Sequence, residues 1–111
     1  MHTLVVKFTL NPGSEEAFDQ LVAETLPNIE RLEPGTLIYV THADHADPTI
    51  RIFYELYRDE DAFQAHEATE HVRRFLNART QYLAKAPEVW FASPLDGVVR
   101  EGIEVAGGEV G

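Results

Sequence analysis

Residues 49–57, TIRIFYELY, constrain this chain more than any other stretch. Period-two alternation with β-branched and aromatic residues marks a strand. Ile50, Ile52, Tyr54 and Leu56 fall on one side, while Arg51, Phe53, Glu55 and Tyr57 fall on the other. A strand with large apolar groups on both sides needs cover on both. The rest of the chain offers only enough helix to cover one.

Strand and helix signals alternate around this segment. His2–Leu10 is a first strand, broken by Asn11-Pro12-Gly13. Ser14, followed by Glu15 and Glu16, opens a helix with a capping oxygen and two acids at the positive dipole end. Its inward stripe is Phe18, Leu21, Val22, Thr25, Leu26, Ile29 and Leu32. Pro27 is expected to kink that helix or end its regular part, and Glu33-Pro34-Gly35 stops it. Thr36–Ala43 is a second strand, joined to the third by a polar turn containing Asp47-Pro48. Asp59, with Glu60 and Asp61, caps a short helix on which Ala62, Phe63 and His66 share a face. Ala68-Thr69-Glu70 re-caps a helix expected to run to Pro87 through Val72, Phe75, Leu76, Arg79, Tyr82 and Leu83. Glu88–Ala92 is a fourth strand, expected to resume at Val98-Val99.

The order is βαββαβ, an α+β ferredoxin-like arrangement with a four-stranded antiparallel sheet and helices on one face. It occupies residues 1–100, with a flexible tail expected over 101–111. The uncovered face of the sheet then predicts a homodimer, two sheets packed face to face.

Composition narrows the function classes. With 9 basic and 19 acidic residues, the formal charge of −10 opposes nucleic acid and anionic membrane surfaces. The absence of cysteine removes disulfides, thiolate metal sites and cysteine nucleophiles. No stretch approaches the roughly 20 apolar residues of a membrane span, and no signal peptide is visible. The expected location is the cytoplasm. Nothing resembles a dinucleotide fingerprint or a phosphate loop.

The candidate site lies between Arg51 and Leu76, where His66 and His71 accompany Phe53, Tyr57 and Phe63. An imidazole facing the sheet can take a proton near neutral pH; the plainer reading is a buried histidine bonded to a carbonyl. His71, in the first turn of its helix, either orients His66 or substrate or completes the helix entry. A metal pair is not expected, because the two are five positions apart across a helix break. His42, Asp44, His45 and Asp47 fall in a turn and are read as solvated. Tyr39, Tyr57 and Trp90 offer stacking surface for an aromatic ligand, though strand aromatics also serve cores and interfaces.

Glu33-Pro34-Gly35, the strand Leu37-Ile38-Tyr39 and the run YELYRDEDAFQAH-x4-H together resemble the antibiotic biosynthesis monooxygenase family, over about residues 2–92. This family consists of dimeric α+β barrels, and the chain is most similar to its small quinol monooxygenase branch. The resemblance implies a cofactor-independent monooxygenase that ionises a quinol or phenol and lets it react with dioxygen as co-substrate. It implies a pocket between sheet and helices formed by Phe53, Tyr57, Phe63 and His66. Haem-degrading relatives would carry a Trp at His66 and a haem-ligating His near Leu76, so haem is not expected. Autoinducer-processing isomerases share the acidic cap and the H-x4-H spacing. Isomerisation of a small phosphorylated metabolite therefore stays open, as does a non-enzymatic barrel with a filled pocket.

Overall fold

The computed structural model describes residues 1–100, and the tail expected over 101–111 lies outside them. Its elements are β1 (His2–Thr9), α1 (Glu15–Leu32), β2 (Thr36–Ala43), β3 (Ile50–Tyr57), α2 (Glu60–Ala68), α3 (Glu70–Ala78) and β4 (Glu88–Ala92). The strands form one antiparallel sheet in the order β2-β3-β1-β4. This is the ferredoxin-like arrangement expected from the alternation.

Period two decides the layers. Leu4, Val6 and Phe8 of β1 and Phe53 and Tyr57 of β3 join Phe18 and Val22 of α1, Phe63 of α2 and Phe75 of α3 in one core. The register places Val6 opposite both Phe53 and Val89, so one face of three strands meets the helices. The other face carries Val5, Ile38, Val40, Ile52, Tyr54 and Leu56, with Trp90 opposite Val5. Packing of aromatic rings stiffens the core: Phe8 and Phe53 meet edge-on at 4.7 Å, and Phe18 lies 5.3 Å from Phe8.

Several local expectations change. Ser14 stands at the α1 N-cap, but its side chain accepts no capping bond; the Glu15 carboxylate instead accepts from the Gly13 amide at 3.1 Å. Pro27 does not end α1, which continues to Leu32. Leu32, placed in the inward stripe, is exposed. The last helix stops at Ala78, nine residues short of Pro87, and a 3₁₀ turn follows over Arg79–Tyr82. The end of β1 claims that backbone: Leu10 bridges Leu83, and the Asn11 and Ala84 amides donate to Tyr82 and Thr9 at 2.8 Å. Val98 and Val99 form no strand. The other caps hold, with the Ala62 amide donating to Asp59 at 2.7 Å. At the α2–α3 break, the Thr69 hydroxyl donates to His66 O at 2.8 Å and accepts from the Val72 amide at 3.3 Å.

Candidate active site

Glu33 organises the site, although the sequence marks it only as a helix stop. It is the C-cap of α1, with its amide donating to Ile29 O at 3.1 Å. Pro34 and Gly35 turn the chain into β2, and Gly35 is needed for close approach. A Cβ there would sit 2.6 Å from the Ala62 Cβ of α2. A bulge at the start of β2 then sets Thr36 opposite Tyr57 while Tyr39 pairs with Glu55. The Glu33 side chain is thereby directed inward and is 8% exposed.

Three side chains donate to it. His66 Nδ1 lies 2.6 Å from Oε1, the Thr36 hydroxyl donates to Oε1 at 2.7 Å, and His71 Nε2 contacts Oε2. Burial pushes the Glu33 carboxyl up, but the bonds from His66, Thr36 and His71 outweigh it and hold it below its ordinary value. An ionised carboxylate only accepts hydrogen bonds. His66 therefore carries a proton on Nδ1 and His71 one on Nε2. When His66 is neutral, its Nε2 holds a lone pair. That nitrogen faces the Glu55 carboxylate of β3 at 4.0 Å.

Glu55 is buried in the middle of β3 between Phe53 and Tyr57 on the same face. Among the described residues, its one side-chain hydrogen bond comes from the Tyr57 hydroxyl at 2.5 Å. Burial raises its carboxyl from 4.5 to about 7, against opposing pulls from Tyr57 and His66. Burial, reinforced by the Glu55 charge, also raises the Tyr39 and Tyr57 phenols, so both stay protonated as donors.

These groups border a cavity of about 220 Å³ between the sheet and α2–α3. His66, Glu55, Tyr39, Phe53 and Phe63 line it, as do Phe75, Glu67 and Arg79. Of the residues singled out from sequence, His66, Phe53, Phe63 and Tyr39 reach the cavity. Tyr57 is fully buried behind it, bonded to Glu55 and 5.1 Å from the His66 ring. His71 lies on the far side of Glu33, beside a surface hollow with Asn28, Leu32, Glu70 and Arg74. Trp90 is 53% exposed, on the sheet face away from the cavity. His42 and His45 are remote from it, and Asp47 accepts from the Thr49 amide in the turn.

Sequence reasoning did not single out Glu33, Glu55 or Glu67 as site residues. Glu55 carried a legible signal, an acid at a helix-facing position between two aromatics of a doubly apolar strand.

A ferredoxin-like domain with a polar cluster opening onto an aromatic cavity between sheet and helices defines the class. The family model described as antibiotic biosynthesis monooxygenase matches residues 1–78, and the chain belongs to that family. An uncharacterized protein of Synechocystis sp. is 28% identical over 80 residues, 72% of this chain and 54% of its own length. The chain thus spans about half of that curated relative. Among solved structures, a protein from Pseudomonas aeruginosa is 28% identical with a TM-score of 0.76, covering 86% of this chain and 94% of that one. An antibiotic biosynthesis monooxygenase structure has 24% identity and a TM-score of 0.78, over 86% and 100%. A protein from Caulobacter crescentus reaches a TM-score of 0.82 at 20% identity, over 86% and 90%. The last two matches speak for the fold alone. No helix among the described residues is long and apolar enough to cross a membrane.

Proposed function

We propose that this protein is a cofactor-independent monooxygenase acting on a quinol or phenol, with His66 as the base. The observation that carries this reading is the His66 Nε2 lone pair, fixed by Glu33 and presented at the wall of an aromatic cavity. A cavity of about 150 Å³ already admits benzene, so about 220 Å³ suits a small substituted ring. The substrate hydroxyl would sit between His66 Nε2 and Glu55, donating to the first and accepting from the protonated second. Transfer of its proton to His66 leaves an electron-rich phenolate. That anion gives one electron to dioxygen, and the resulting radical pair recombines as a ring hydroperoxide. Loss of water leaves the oxidised ring with one new oxygen. Both hydrogens of the water come from the substrate, so no external reductant is required. Family membership supports the same class of reaction.

The open sheet face supports a homodimer, because Ile38, Val40, Ile52 and Tyr54 are only half-covered there and Trp90 stands beside them. Burying such a face removes apolar area worth roughly 25 cal/mol per Å². Size-exclusion with light scattering checks this: two copies are expected, and Trp90→Glu with Tyr54→Glu should give monomers.

A phosphorylated-metabolite isomerase would need a basic pocket, and one arginine faces two glutamates here. A purely structural barrel would fill its interior with side chains, which the cavity argues against. The deciding experiment is dioxygen uptake by metal-free protein against substituted hydroquinones and anthrone-like phenols, beside His66→Ala. Uptake above autoxidation that falls at least a hundredfold in the variant is expected. No uptake across the panel would overturn the oxygenase reading, and undiminished uptake in the variant would remove His66 as base.

A further inference from the structure

We propose that Arg79 binds a carboxylate of the substrate, so that the cavity takes a phenol or quinol carrying an acid group away from its reacting hydroxyl. This rests on the oxygenase reading for the hydroxyl end of the ligand and supplies the opposite end.

Arg79 opens the 3₁₀ turn after α3 and lines the same cavity as His66 and Glu55. Its guanidinium lies over the rings of Phe8 and Phe75, at 5.2 and 5.8 Å. Among the described residues, that group enters no ion pair and no side-chain hydrogen bond. Arg51 shows the usual outcome for an inward arginine. Asp19 accepts from it twice, at 2.8 and 3.0 Å, and the Pro48 and Ile50 carbonyls accept from it as well. The Arg79 nitrogens are not sealed in protein either, since the one fully buried unpartnered side-chain nitrogen among the described residues is His2 Nε2. Arg79 itself is part of the cavity wall. Burial lowers the Arg79 pKa, yet a guanidinium stays charged at neutral pH. Glu67 and Glu55 act on that charge only at a distance, and unused donors on a half-buried cation remain costly until an acceptor meets them.

Aromatic rings connect the base to the cation along the cavity wall. From His66 the cavity wall passes to Tyr39 at 5.6 Å, then to Phe53 at 5.8 Å, then to Phe8 at 4.7 Å. The Arg79 guanidinium sits on that last ring. A ligand ring lying along Phe53 thus has both a base and a cation on the same cavity wall. The fork of a guanidinium matches a planar carboxylate in two parallel bonds. Phosphate fits worse, because Glu67 lines the same space and would repel a second negative charge. The formal charge of −10 gives an anion no long-range attraction, so recognition has to be local.

The test is anaerobic calorimetry with 2,5-dihydroxybenzoate, hydroquinone and phenyl phosphate as probes. We expect the wild-type protein to bind dihydroxybenzoate at least about tenfold tighter than hydroquinone, the scale of a charged hydrogen bond. Arg79→Gln should bring that ratio close to one. Arg79→Met, which keeps an apolar stem on Phe8 and Phe75, should do the same and guards against a folding defect. Equal affinities, no binding of dihydroxybenzoate, a preference that survives both variants, or stronger binding of phenyl phosphate would each overturn the proposal. Anaerobic binding needs no turnover. Preference without oxygen uptake would sink the oxygenase reading alone, and uptake without preference would sink the role of Arg79 alone.

Discussion

Two buried glutamates flank His66, and their surroundings make them opposite kinds of group. Glu33, at the end of α1, receives bonds from two imidazoles and a hydroxyl, and is held below the ordinary carboxylate range. Glu55, in the centre of β3, receives one hydroxyl and faces the cavity, and is raised to about 7. Burial acts on both in the same direction. The number of donors decides whether the buried carboxyl becomes a fixed anion or a group that titrates where the protein works. The first orients a base; the second can hold or release a proton beside a substrate.

Removing the fixed anion should do the most damage. Glu33→Ala leaves two buried imidazoles without their acceptor and is expected to cost about 3–5 kcal/mol, read by urea denaturation. It should also abolish dioxygen uptake, because nothing then fixes the His66 proton on Nδ1.

The titrating partner should leave a pH signature. A carboxyl raised in the folded state favours its protonated form, so its contribution is fully present below the unfolded value near 4.5 and is lost as pH rises through about 7. The unfolding free energy from urea denaturation should fall over that window by an amount on the order of 3 kcal/mol. Glu55→Gln should flatten the decline. Glu33 contributes with the other sign: its stabilisation is present above the unfolded value and is lost as pH falls through its lower folded value. Below pH 4.5 the wild type should therefore lose stability again, and Glu33→Gln should lose less.

Gly35→Ala tests the positioning of Glu33 without touching its carboxylate. The new methyl would press on the Ala62 Cβ and push α2, with His66, away from the α1 end. About 1–3 kcal/mol is expected from overpacking, with a larger fractional loss of oxygen uptake than of folded protein. Thr36→Val is the smallest change. It removes one of three donors, at about 1 kcal/mol, and should move the Glu33 titration midpoint upward.

The scaffold was largely legible from the sequence because it depends on local rules. Period-two alternation sorted Phe53, Glu55 and Tyr57 from Ile52, Tyr54 and Leu56, and that sorting holds. The shared face of Ala62, Phe63 and His66 placed the imidazole toward the sheet. What local rules could not supply were contacts made at long range. Glu33 meets His66 across 33 positions, through a C-cap and a strand bulge that leave no mark on hydrophobic periodicity. Helical spacing in the sequence continues through Arg79 and Tyr82, but the end of β1 bonds to that backbone and the α-helix stops at Ala78. Arg79 thus lies outside regular helix, over Phe8, where its unused donors can be seen.

The most direct test is carboxyl NMR with ¹³C-labelled glutamate, following Glu33 and Glu55 from pH 3 to 9. The arrangement around His66 predicts a Glu33 midpoint below its ordinary value and a Glu55 midpoint near 7. The two resonances would be assigned with Glu33→Gln and Glu55→Gln. Midpoints that coincide in the ordinary carboxylate range, or that exchange places, would contradict the division into a fixed anion and a titrating partner.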